Sequence, residues 1–415
     1  MKIDLKELVA KYNTPLYLYD FNAISHNYKT LKDAFGGKKS LISYAIKANS
    51  NIAVISQLAK EGAGADCVSI GEVNRAILAG IKPYKIIFSG VGKRDDEIRE
   101  ALSKGILMIN LESQAEMKRV ELMAKELGVE ARISIRVNPN IDPQTHPYIS
   151  TGLHENKFGV EIDVAKGMYI YAKKSQHLNP IGIHFHIGSQ LTELNPIKEA
   201  SQIVADLVRS LSVIGIDIKF FDVGGGIGVV YDDEKTITPT EYTTAIFETI
   251  KGLDITIVCE PGRYMLANAG IFVTKVLYEK ANDSKRFVIV DGAMNDLIRP
   301  SLYNAYHKIE AFKESDEERT PADVVGPICE SGDFFGKDVP LPPLEHNDIV
   351  VVHSAGAYGF TMASNYNTRG RSAEVAIFDG NDYLIRQRES FDDQVRLELE
   401  CDRSWQEGGA KDDTR

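Results

Sequence analysis

Between about residues 40 and 262 the chain alternates short β-rich runs with amphipathic stretches eight times over, and few folds satisfy that pattern. The runs are Leu41–Ala45, Ala63–Val68, Ile86–Ser89, Met108–Leu111, Arg132–Val137, Ile181–Ile187, Phe220–Val223 and Ile255–Cys259. Among the segments between them, Ile52–Lys60, Ile70–Ala79, Ala115–Leu127, Ile197–Ile214 and Glu241–Ile250 place apolar residues at i, i+3 and i+4, the spacing of one helix face. Parallel strands cannot be joined by a tight turn and need a crossover, usually a helix. The repeated alternation therefore predicts a parallel (β/α)8 barrel of the TIM type, with an open doubly wound sheet as the alternative. The number of strands favours the barrel.

Beyond about residue 265 the helical periods thin out, and Ile271–Leu277, Arg286–Val290, Ile349–His353, Ala373–Phe378 and Asp382–Arg388 read as strands of a mostly antiparallel β domain. The predicted organisation is a barrel over residues 25–265 and a β domain over 266–401, which residues 1–24 are expected to join. Lys313–Pro343, rich in charge and proline, reads as a long loop, and the polar tail 402–415 as disordered.

Composition excludes several function classes. With 43% hydrophobic and 26% charged residues in 415, the chain can bury a large core. A formal net charge of −11 without a Lys/Arg stripe would repel a phosphate backbone, so nucleic acid is not an expected partner. Met1–Tyr12 lacks the continuous apolar stretch of a signal peptide, and no run of about 18 apolar residues occurs. A soluble, cytoplasmic protein with no membrane partner is expected. The four cysteines, Cys67, Cys259, Cys329 and Cys401, are too scattered to signal a zinc site or a disulfide framework.

In a barrel of this kind the reacting groups sit where strands end, and four such turns are distinctive. After the first strand, Tyr44-Ala45-Ile46-Lys47-Ala48-Asn49 puts one lysine behind an apolar run. A desolvated lysine loses proton affinity and becomes a nucleophile toward carbonyls, as a Schiff base requires; an isolated lysine would more commonly snorkel on the surface. After the sixth strand comes His184-Phe185-His186-Ile187-Gly188-Ser189-Gln190, where His186 could lie against an aromatic ring and Ser189 could bind an anion. Two histidines at i, i+2 could ligate a metal, but no acidic or third-histidine motif accompanies them, and none is expected. After the seventh strand, Gly224, Gly225 and Gly226 in Asp222-Val223-Gly-Gly-Gly can converge backbone N–H groups on a phosphate, although a glycine run alone is more often a tight turn. After the eighth, Glu260-Pro261-Gly262-Arg263 pairs a carboxylate with a guanidinium, which by itself could be only a strand-end salt bridge. Together the turns supply a nucleophilic amine, a stacking imidazole, a phosphate cradle and an acid for a ring nitrogen, which are the needs of pyridoxal 5'-phosphate.

With these motifs the chain resembles the alanine racemase and ornithine decarboxylase group of pyridoxal enzymes, and within it the diaminopimelate decarboxylase family. Asp291-Gly292-Ala293-Met294-Asn295-Asp296, Arg299-Pro300, Tyr303, Gly326-Pro327-Ile328-Cys329-Glu330-Ser331 and Gly356-Ala357-Tyr358 extend the likeness to about residue 400. The resemblance implies a lyase that converts meso-2,6-diaminopimelate to L-lysine, with a decarboxylase of ornithine, arginine or carboxynorspermidine as the alternative. It implies that Lys47 holds the cofactor, His186 stacks on its ring and Glu260 meets the pyridine nitrogen. Ser189, Gly224 to Gly226, Gly262 and Arg263 would surround the phosphate and the nearby substrate carboxylate. Arg299, Tyr303 and Glu330 would bind substrate, Tyr358 would sit near both, and Cys329 would donate a proton from the partner subunit of a homodimer with shared sites. Gly370 departs from the family pattern, which has proline there.

Overall fold

The structure, a computed structural model, describes residues 4–142, 157–313 and 316–401. β1 spans Leu16–Asp20, β2 Ser40–Ala45, β3 Gly64–Cys67, β4 Ile86–Phe88, β5 Met108–Leu111, β6 Ala131–Arg136, β7 Leu178–His184, β8 Phe220–Asp222 and β9 Thr256–Cys259. Strands β2 to β9 form a closed barrel in sequence order, every neighbouring pair parallel, with β9 returning to pair β2. All eight predicted runs are barrel strands. The sixth begins earlier than predicted, at Leu178, because Pro180 is tolerated beside a register shift between Ile133 and Ser134 of β6.

The remaining strands are β10 Gly270–Ala281, β11 Arg286–Val290, β12 Ile309–Ala311, β13 Thr320–Val325, β14 Phe334–Leu341, β15 Ile349–Val352, β16 Ala373–Phe378 and β17 Asn381–Arg386. With β1 they make a nine-stranded sheet in which only the pairs β1/β16 and β11/β13 are parallel. β1 lies between β10 and β16 and is buried on both faces. Side chains alternate across a strand, so Tyr17 and Tyr19 enter the main core while Leu16 and Leu18 enter a second apolar cluster with Leu5, Leu8 and Val9.

One expectation is corrected here. Lys313–Pro343 is not a long loop, because it contains β13 and β14, paired antiparallel. Register shifts at Ala322/Val324 and Val324/Val325 interrupt the period of two, and exposed Lys337 and Asp338 lend β14 the composition of a loop. The expected disorder of 402–415 lies outside the described residues. Among the described residues no helix is long and apolar enough to cross a membrane.

The sheet is latched to the barrel beside the first barrel strand. Tyr19 Oη donates to Glu374 Oε1 at 2.8 Å, and Asn51 Nδ2 donates to the other carboxylate oxygen at 2.9 Å. The Tyr358 backbone N–H donates to the Ala48 carbonyl at 2.7 Å. The turn that carries Lys47 is therefore held from both sides.

Candidate active site

β2 ends in a single 3-10 turn, Ile46–Ala48, whose flanking residues are buried. Lys47 is left with a side chain 45% exposed, reaching into a cavity of about 190 Å³. Its Nζ lies 3.6 Å from Oδ2 of Asp66, a buried residue of β3. Desolvation lowers the proton affinity of the amine, but the carboxylate of Asp66, with Tyr358 and Glu260 farther off, outweighs it and the pKa is raised. This corrects the expectation of a lysine discharged by burial: opposite charge wins over the apolar run. Burial, followed by the repulsion of Glu260, raises the Asp66 carboxyl in turn, while Lys47 opposes the rise.

The other walls come from the turns after β7, β8 and β9. His186 is pushed well below the ordinary imidazole range by burial, then by the Arg136 and Lys47 cations, so its ring is neutral. The glycines answer to close approaches rather than to flexibility alone. A Cβ on Gly225 would lie 2.3 Å from the Glu260 carbonyl oxygen, one on Gly226 2.6 Å from that of Gly188, and one on Gly224 2.8 Å from His186. Gly262 faces the Ala48 Cβ and the Tyr358 hydroxyl, each at 3.1 Å from an added Cβ. Glu260 is buried, with Oε2 3.4 Å from His184 Nε2 and Oε1 without a hydrogen-bond partner. Burial alone would raise its pKa, but His184 and then Asp222 and Lys47 hold it down at about 2. Asp222 moves the opposite way, raised well above the carboxylate range by burial and by Glu260. Of the two acids, Asp222 keeps the proton and Glu260 the charge.

Arg263 donates from Nε and Nη2 to Ser189 Oγ at 3.3 and 3.2 Å, and from Nη1 to Tyr231 Oη at 2.6 Å. Arg299 opens the short helix Arg299–Tyr303 and is buried. Its Nη2 also approaches Tyr231 Oη, at 3.4 Å, and its guanidinium lies over the rings of Tyr231 and Tyr303. Tyr358 holds a left-handed φ of 57°, a conformation that non-glycine residues sustain where tertiary contacts impose it, and Arg263 stacks on its ring at 5.0 Å.

Of the residues singled out from sequence, Lys47, His186, Ser189, Gly225, Gly226, Glu260, Gly262, Arg263, Arg299, Tyr303 and Tyr358 line this one cavity, and Gly224 supports its wall. Cys329 and Glu330 do not. Both are exposed on the connection between β13 and β14, where Glu330 Oε2 accepts from Tyr366 Oη at 3.0 Å and the Cys329 N–H donates to Asn367 Oδ1 at 3.2 Å. Sequence reasoning missed Asp66 and Tyr231. A lone charge inside the strand Gly64-Ala65-Asp66-Cys67 was a usable signal, whereas nothing near Tyr231 marks it. It also missed that His184 meets Asp222 and Glu260, carboxylates contributed by the next two strand ends.

A ring that bears an aldehyde, a phosphate and a basic nitrogen needs an amine, converging backbone with no Cβ in the way, and a carboxylate with an open oxygen. Lys47, the Gly225–Gly226 turn and Glu260 Oε1 meet those needs, so the donor set fits pyridoxal phosphate. Residues 21–267 match the family described as "Pyridoxal-dependent decarboxylase, pyridoxal binding domain". The chain is 57% identical over 397 residues to a diaminopimelate decarboxylase of Campylobacter jejuni, covering 95% of this chain and 98% of the relative. To one from Helicobacter pylori it is 56% identical over 396 residues, covering 95% and 98%. The crystal structure of diaminopimelate decarboxylase from Helicobacter pylori complexed with L-lysine superposes with a TM-score of 0.93 at 55% identity, over 96% of this chain and all (100%) of that one. Likeness of this depth along nearly the whole chain, over a cavity with the right donors, means that the chain belongs to the diaminopimelate decarboxylases, enzymes that depend on pyridoxal phosphate.

Proposed function

We propose that this cavity takes meso-2,6-diaminopimelate, removes one carboxyl group as carbon dioxide and releases L-lysine after a proton returns to the same carbon. The observation that carries the reading is the Arg299 guanidinium, buried in the same cavity as Lys47. The far end of this substrate bears a carboxylate, which a guanidinium fork grips through paired hydrogen bonds. A decarboxylase of ornithine or arginine would instead need acidic residues against a distal cation. The bound cofactor supplies an electron sink for the bond that breaks.

The protein's own groups divide the remaining work. Lys47 provides the amine that anchors the cofactor, and Asp66, 3.6 Å from Nζ, can take the proton the amine must lose. The neutral imidazole of His186 would cover one face of the cofactor ring, and the charged Glu260 would meet its nitrogen. Ser189, Gly225, Gly226 and Gly262 would receive the phosphate, with Gly224 bracing their turn through its N–H to Asp222 Oδ1 and Arg263 shared between the phosphate and a carboxylate. Tyr303 and Tyr358 enclose the substrate. Cys329 carries the proton for the α-carbon and Glu330 meets the far ammonium. Both stand on the surface of this chain, which supports a homodimer whose partner copy completes each site. The same reading divides the chain into a barrel over 25–265 and a β domain over 266–401 joined by residues 1–24, and β1 in the second sheet supports it. A biosynthetic enzyme of this kind is expected in the cytoplasm.

Carbon dioxide release from meso-diaminopimelate, ornithine and arginine, measured side by side, tests the reading. Turnover of diaminopimelate with little release from the others is expected, whereas comparable turnover of ornithine would move the function to the alternative.

A further inference from the structure

A buried guanidinium has five N–H groups and no fixed azimuth unless something takes them. Arg299 Nε donates to His307 Nε2 at 3.3 Å. The other ring nitrogen, Nδ1, lies 2.8 Å from the carbonyl oxygen of His353. A carbonyl only accepts, so Nδ1 carries the ring proton and Nε2 is left as an acceptor facing Arg299. His307 is only 3% exposed, and it is not among the residues that line the cavity. Burial and then the Arg299 charge push its pKa down to about 3, so the ring is neutral. Its ring meets that of Tyr231 nearly at right angles, with centroids 5.6 Å apart and planes at 82°, and Tyr231 is the residue whose hydroxyl lies between Arg263 and Arg299.

We propose that His307 is a positioning residue for substrate selection: by taking the Nε–H of Arg299 and bracing Tyr231, it turns the terminal nitrogens of Arg299 into the cavity. The inference rests on the reading of Arg299 as the grip on the far carboxylate. A neutral acceptor suits this task better than an acid would. Aspartate or glutamate here would form an ion pair with Arg299 and compete with the substrate for the same charge, whereas imidazole orients the fork and leaves its charge available.

The test uses the loaded enzyme with His307→Leu, His307→Gln, His307→Glu and Arg299→Gln, and the double variant of His307→Leu with Arg299→Gln. Cofactor absorbance and thermal unfolding report the integrity of each protein. His307→Leu should raise KM for meso-diaminopimelate roughly 10- to 100-fold, the scale expected when a gripping group is displaced by about an ångström, with kcat nearly unchanged. His307→Gln, which keeps an acceptor, should stay within a few-fold of wild type, and His307→Glu should raise KM although it folds. In the double variant, the His307 change should add little to the Arg299 change. An unchanged KM in His307→Leu, or a loss of kcat and cofactor binding with KM intact, overturns the inference. If His307→Leu does not fold, equal KM values for the Gln and Glu variants overturn it instead. Arg299→Gln separates the two levels: an unchanged KM there defeats the reading of Arg299 itself, while a raised KM there beside a normal one in His307→Leu defeats only the role of His307.

Discussion

Lys47 must shed a proton before it can attack a carbonyl, and its neighbours oppose that: burial destabilises the ammonium, but Asp66 at 3.6 Å together with Tyr358 and Glu260 stabilises it more. The conflict resolves if Asp66, itself raised, is where the proton goes. Lys47→Ala should abolish covalent capture of the cofactor and nearly all activity. Borohydride reduction followed by peptide mass analysis should then find no modified lysine, whereas the wild type is labelled at Lys47. His307 offers a second check at this scale. Its pKa of about 3 lies below the ordinary 6.5, so the unfolded chain takes up a proton that the folded one refuses. The stability this represents is present above about pH 6.5 and is lost as pH falls toward 3. Between about pH 7 and pH 5.5 the wild type should lose about 1 kcal/mol more stability than His307→Gln, by urea denaturation at both pH values. The difference is the useful quantity, because Glu72, raised by burial to about 7, titrates in the same window with the opposite sign. Residues that announce themselves by type and turn, such as Lys47, His186 and Glu260, were legible in the sequence. Tyr231 and His307 were not, because their roles depend on which side chains the fold brings alongside them.

Among the elements, the turn after β8 is held by backbone on both sides. The Glu260 N–H donates to the Gly224 carbonyl at 2.8 Å, so the β8 and β9 turns are joined backbone to backbone, and there is no room for a methyl group at Gly225. Gly225→Ala should cost about 1–3 kcal/mol by overpacking and weaken cofactor affinity, while Gly262→Ala, whose neighbours are side-chain atoms at 3.1 Å, should be milder. Titrating cofactor into each purified variant and following absorbance ranks the two, and equal affinities would refute the ordering. The barrel strands were legible because strands in a parallel barrel, covered on both faces, read as apolar runs. β13 and β14 were hidden because register shifts break their alternation. Gly370 is explained by its surroundings rather than by its φ: an added Cβ would lie 2.5 Å from the Glu389 carbonyl oxygen, so the proline expected there would require the backbone to move.

For the molecule as a whole, the cavity gathers groups suited to the cofactor but, among the described residues, no cysteine lines it, while Cys329 and Glu330 are exposed on the far sheet with neither reaching the cavity. That combination is what a site shared between two copies produces, since each chain would then present its donors outward to its partner's cavity. Lys47→Ala and Cys329→Ala should fail for different reasons, the first for want of the proposed anchoring amine and the second for want of the proposed general acid, whose loss typically slows a reaction on the order of 10²–10⁴-fold. A heterodimer of the two variants would contain one cavity with both defects and one with neither. Mixing the inactive proteins under conditions that exchange subunits should therefore restore activity, approaching one quarter of wild type if the protomers pair at random and half of the dimers are mixed, roughly the statistics of a C2 assembly. Exchange can be verified with a mass tag on one variant. Demonstrated exchange with no recovery would mean that Cys329 serves its own chain's cavity through a rearrangement of the β13–β14 connection, or does not serve the reaction at all.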